Sequence, residues 1–179
     1  MKVPFAVLIL IGGLAFASLA SADSGINFSW DACSAEGGIQ SKNFSCNTNT
    51  STKSMYGSFI LPADQDNFVG VEATIDVQAE ADSLPSWWQF YNPGACRSSS
   101  ISVNFLFDSD PNTSCTDPWS GAATGGSAAF HTYWSTPPGS GISPNSARIK
   151  LGAALPSTSP IQLTAGTEYY CFKLVMTAA

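Results

Sequence analysis

The sequence predicts an all-β protein, an antiparallel β sandwich of the immunoglobulin-like or jelly-roll kind. Three observations predict it. Apolar residues recur at every second position in several short segments, which is the spacing of a half-buried strand. Clusters of Gly, Pro, Asn and Ser separate those segments. Charged residues make up only 11% of the 179, well under the usual quarter, so Ser, Thr, Gly, Asn and Pro carry the polarity, as the turns of secreted β proteins do.

The chain opens with Lys2 and an apolar run from Val3 to Leu19, ending in Ala20-Ser21-Ala22. A positive start, an apolar stretch and small residues before a cut site are the parts of a secretory signal peptide. The expectation is cleavage after Ala22, leaving residues 23–179 as one domain. A retained anchor needs about 20 apolar residues in a good helix, and Pro4 and Gly12-Gly13 weaken this one. Cleavage leaves no membrane segment, so a secreted or extracellular location is expected, with periplasm or cell surface as variants. The remaining chain sets six Lys and Arg against thirteen Asp and Glu. It has no basic cluster, and this excludes nucleic-acid binding on electrostatic grounds.

The strands follow in order. Ile26–Trp30 and Met55–Leu61 come first. From Val69 to Val77 the odd positions are apolar, while Glu72, Thr74, Asp76 and Gln78 form the wet face. Trp87–Tyr91 is next, then Ser100–Phe107 with Ile101, Val103, Phe105 and Phe107 inward. Ala128–Trp134, Ala147–Ala153 and Tyr169–Met176 complete the set of eight. In the last, alternation puts Tyr170, Phe172, Leu174 and Met176 on one side and Cys171 on the other. Gly121–Gly126 and Pro137–Pro144 read as loops, and Asp64 and Asp66 flank a turn after Pro62.

Five cysteines fit an oxidising compartment. Neighbour pairing joins Cys33 to Cys46 and Cys96 to Cys115, although four cysteines allow three connectivities. Cys171 is left over. It is buried and inert, or it pairs with another chain, or its partner lies beyond Ala179 because the chain is truncated. No spacing is CxxC, and one His does not complete a Cys/His metal site.

Chemistry is sparsely signalled. A nucleophile triad needs a base beside Ser or Cys, and the single His131 falls within a strand with no Gly-x-Ser-x-Gly elbow anywhere. Asp108, Asp110 and Asn112 open like a calcium loop. The pattern then fails, because Thr113 replaces the turn Gly and Trp119 stands where the bidentate Glu belongs, so a turn is expected there. Glu72 and Asp76 share an outer face without the paired geometry of a glycosidase. In Trp87-Trp88-Gln89-Phe90-Tyr91, Trp87 and Tyr91 fall on one face and Trp88 on the other, and an exposed Trp and Tyr pair stacks on sugar rings. Trp119 and Trp134, beside Gly-rich loops, either form a second platform or pin a loop. Sequons stand at Asn27, Asn43, Asn49 and Asn112.

The stretches Leu84-Pro85-Ser86-Trp87-Trp88-Gln89-Phe90 and Gly94-Ala95-Cys96-Arg97 resemble a set of uncharacterised secreted bacterial proteins. Ala147-Arg148-Ile149-Lys150 and Gly166-Thr167-Glu168-Tyr169-Tyr170, continued by Phe172-Lys173-Leu174, fit the same set. The resemblance implies export and a β-rich domain, and it supplies no activity. It also implies that relatives run on past Leu174 with further cysteines.

The expected function is a secreted, non-catalytic structural or interaction domain with no cofactor. Its partner would be an extracellular protein or a glycan. The alternative is a carbohydrate-binding domain using Trp87, Trp88 and Tyr91, and a polysaccharide hydrolase stands third. Self-association through an unpaired last strand or through Cys171 is a further expectation.

Overall fold

Nine strands, each paired antiparallel, make up the regular structure of the described residues. The computed structural model describes residues 24–44, 52–85, 88, 101–105, 115–132 and 145–177. The strands are β1 (Gly25–Trp30), β2 (Lys53–Ile60), β3 (Gln65–Phe68), β4 (Gly70–Gln78), β5 (Ile101–Asn104), β6 (Thr124–Thr132), β7 (Ser146–Ala154), β8 (Ile161–Leu163) and β9 (Glu168–Met176). One sheet has the order β1-β2-β9-β5, a second the order β4-β7-β6, and β3 pairs with β8 beside them.

Period-two patterning builds the second sheet. Val71, Ala73, Ile75 and Val77 of β4 stand opposite Ala153, Leu151, Ile149 and Ala147 of β7. The alternate row pairs Thr74 with Lys150 and Asp76 with Arg148. One row therefore faces the core and the other faces water. Ile149, Leu151 and Ala153 join Met55, Phe172, Leu174 and Met176 of the first sheet in one apolar cluster. Each fully buried Ile, Leu, Phe or Met contributes about 1.5–3 kcal/mol. That cluster holds the two sheets face to face.

Trp119, fully buried, closes the core from a loop. Its ring packs on Phe68 (centroids 5.5 Å) and edge-on to Phe105 (6.4 Å). Asp117 accepts the backbone N–H groups of Trp119 and Ser120, which fixes the turn carrying the indole. Of the two expected roles, Trp119 takes the loop-pinning one.

Several expectations need correction. β9 carries a bulge: Gly57 pairs with Phe172, but the next residue, Ser58, pairs with Tyr170. Cys171 is the extra residue, and a bulge resets alternation. Tyr170 thus leaves the Phe172 face for the outer one, while Cys171 enters the core. β6 begins at Thr124, inside the stretch read as the Gly121–Gly126 loop: Thr124 pairs with Ala154, and Gly125 and Gly126 fall at a register shift before Ser127 pairs with Gly152. Asp66 lies within β3 rather than beside a turn, its carboxylate accepting from Gln162 (2.9 Å). β3 and β8 are too short and too polar to show a period. Trp88 sits in a tight turn, its N–H donating to the Pro85 carbonyl (2.8 Å), where a strand was expected.

Candidate functional site

The expected cysteine pairs do not form. Cys33 is bonded to Cys115, across 82 residues, with Cα atoms 5.9 Å apart, within the range a disulfide requires. The physical reason is in the sheet. The turn after β1, with its single 3-10 turn at Ser34–Glu36, folds over the outer face of β9. The Thr116 carbonyl accepts the Tyr170 N–H (2.9 Å) and so delivers Cys115 to the same place. Cys46 and Cys96 lie outside the described residues.

Around this bridge is a polar cluster that the sequence did not announce. Buried Ser58 donates to Glu168 Oε1 at 2.6 Å, and the Ser34 N–H donates to the Tyr170 hydroxyl at 3.0 Å. Burial pushes the Tyr170 hydroxyl pKa up, against the lowering effect of Ser34. Lys173 lies over the ring of Tyr56, 5.3 Å from its centroid. The donor atoms of Cys33, Glu36 and Cys115 lie within 4.8 Å of one another. Both sulfurs are spent in the disulfide, so neither is a thiolate ligand. The cluster clamps the β1 turn to the sheet.

Cys171 is a free cysteine, buried in the core. Its thiol donates to the Gly57 carbonyl (3.2 Å), and burial pushes its pKa up to about 12. A protonated, enclosed thiol is a poor nucleophile.

Of the expected aromatic platform, Trp87 and Tyr91 lie outside the described residues. Trp88 is half-buried and meets Trp30 (6.3 Å) and Phe44 (5.5 Å) edge to face. Trp30 and Phe44 also meet edge to face, at 4.8 Å. These three rings therefore spend much of their area on one another. Asp108, Asp110 and Asn112, the calcium option, lie outside the described residues, as does Trp134. The backbone of His131 pairs with Arg148. Glu72 stays on the outer face of β4, and Arg148 binds Asp76 through two nitrogens (2.6 and 2.8 Å). The hydrogen bond from Arg148 holds the Asp76 carboxyl below its ordinary pKa.

β1 pairs with β2 along its length and forms one edge of the first sheet. Ile26, Phe28 and Trp30 stand opposite Phe59, Gly57 and Met55, so all three share the core-facing side of the sheet. Trp30 packs against the core cluster, whereas Ile26 remains 79% exposed and Phe28 38%. Backbone geometry adds to this. Trp30 exchanges two hydrogen bonds with Ile39 on the side away from β2, while the Asp31 N–H turns toward β2 and Ser54. Strand groups alternate in direction. The N–H and C=O groups of Ile26 and Phe28 therefore point outward from the sheet, and among the described residues the loop covers that edge only at Trp30. No residue from Gly25 to Trp30 is charged.

The strand at 26–30 was legible as a strand. That it forms an edge was not, because strand order depends on contacts far apart in sequence. The last strand, expected to be the open one, lies between β2 and β5. A separate apolar groove of about 400 Å³ runs between Phe59, Leu61, Phe68 and Val69, with Gln65 and Asn67 on its rim.

Among the described residues, no helix is long and apolar enough to cross a membrane. No protein-family model, curated protein or solved structure matches the chain.

Proposed function

We propose that the chain is an extracellular, non-catalytic interaction domain that takes an extended strand of another polypeptide onto the open edge of β1. The observation that carries this reading is the coincidence at Ile26 and Phe28 of exposed apolar side chains and outward backbone donors and acceptors. Natural sheets blunt their edges with charge, proline or a covering loop. Gly25–Ser29 holds no charge and no proline, and among the described residues no loop covers this edge there. Strand addition draws affinity from main-chain hydrogen bonds and specificity from alternate side chains. The Cys33–Cys115 bridge and the Ser34–Tyr170 bond support the reading, because they fix the turn that ends the edge.

The test uses a neutral, fluorescent peptide of alternating Val and Thr. The expected result is saturable binding that salt does not weaken, since no charge lines β1. It is lost in Ile26→Pro, which removes an outward N–H while sparing the ladder to β2. Equal binding by Ile26→Pro, or none by the unaltered chain, overturns the reading.

A further inference from the structure

We infer that the strand received by β1 is β1 of a second copy, paired antiparallel about a two-fold axis through Asn27. This rests on the strand-addition reading above and names its partner.

Three features of the edge lead to this occupant. The first is its length. Ile39 takes the outward groups of Trp30, so among the described residues the outward backbone groups left on this edge are those of Ile26 and Phe28, on either side of Asn27. An antiparallel pairing about Asn27 sets Gly25 against Ser29 of the second copy and Ile26 against its Phe28. It uses the whole open length and stops where Ile39 begins.

The second is hydrogen-bond phase. Antiparallel ladders alternate between pairs that exchange two bonds and pairs that exchange none. Ile26 and Phe28 carry the outward groups, so they must face each other across the axis. The Asn27-centred register does this twice and makes four bonds. A shift of one residue places outward groups against inward ones and makes none.

The third is charge. The chain carries −6 overall, so two copies repel each other on average. The edge strand β4, for instance, bears Glu72 on its outer face. Gly25–Trp30 bears no charge, and identical strands meet there with no like-charge contact. Ile26 and Phe28 of each copy also lie on the same side of the joined sheet, where four apolar side chains cover one another. The interface is isologous and therefore closes at two copies.

The experiment is sedimentation velocity on the chain as purified, over a range of concentrations, together with oxidation of two cysteine variants. A reversible monomer–dimer equilibrium is expected. Ile26→Pro removes two of the four bonds and raises the dimer Kd by about thirtyfold. Asn27→Cys places the new thiols at a non-bonded pair with Cα atoms about 4.5 Å apart, within disulfide range. It therefore gives a covalent dimer on oxidation. Ser24→Cys, three residues from the axis, separates its thiols by about 20 Å along the strands and gives none. If Ile26→Pro does not fold, the cysteine pair decides alone. A chain that stays monomeric throughout, with Asn27→Cys uncrosslinked, overturns the second copy as partner. Peptide binding that persists in that monomer leaves strand addition standing, and its absence removes both.

Discussion

The ring of Phe172 lies over Gly57, in the space that a β-carbon on residue 57 would need. The two residues are cross-strand partners in β9 and β2, and Phe28 of β1 flanks the ring on the far side (centroids 6.3 Å). Glycine here is a packing requirement: the missing side chain is the seat of a buried aromatic. Gly57→Ala drives the methyl into a ring that is 1% exposed and has no room to swing. A loss of about 1–3 kcal/mol is expected from overpacking, read as a lower midpoint in urea. An unchanged midpoint would show that the ring moves freely.

The Cys33–Cys115 bridge closes a long loop, with 82 residues of separation. In the chain-entropy account such a crosslink stabilises by about 4–5 kcal/mol. Cys33→Ala with Cys115→Ala should lower stability by an amount approaching that figure in urea unfolding. The same pair of substitutions should speed amide exchange at Ser34–Gly38, because the bridge holds that turn to the sheet.

Cys171 gives the chain an alkaline weakness. Its pKa is pushed up to about 12 by burial, from an ordinary 9.0. A raised folded-state value means that the unfolded chain releases its proton first. The neutral thiol's contribution is therefore complete below pH 9 and lost as pH climbs from there toward 12. Urea midpoints should fall over that window, and Cys171→Ala should flatten the fall. A thiol reagent should miss Cys171 in the folded protein and label it in urea.

Trp119 combines packing with a hydrogen bond from its Nε1 to the Cys171 carbonyl (3.1 Å). Trp119→Ala should cost about 3–5 kcal/mol through the cavity it leaves. Trp119→Phe keeps most of the volume but strands a buried carbonyl, which costs about 1–3 kcal/mol. Denaturation of the two variants separates these contributions. Equal losses would mean that the hydrogen bond carries the effect.

Much of the sandwich was legible because burial on one face leaves a period of two. Val71 to Val77 announced a strand with its inward row, and Ala147 to Ala153 announced a second strand. The last strand's pattern was equally clear and still misled, because one bulge at Cys171 turned Tyr170 to the other face. The three-residue β8 and the polar β3 carry too few apolar residues to show any period, and they exist through pairing with each other. The tryptophans were visible as candidates, but only packing made Trp119 a core residue and set Trp88 among Trp30 and Phe44.

Local spacing and a count carry the all-β class, the inward row of β4 and the odd number of cysteines. The packed molecule supplies the Cys33–Cys115 partnership, the interior place of β9 and the edge position of β1. These depend on which distant segments lie side by side. Chain connectivity leaves that choice open, and the balance of burial and main-chain pairing over the whole molecule makes it.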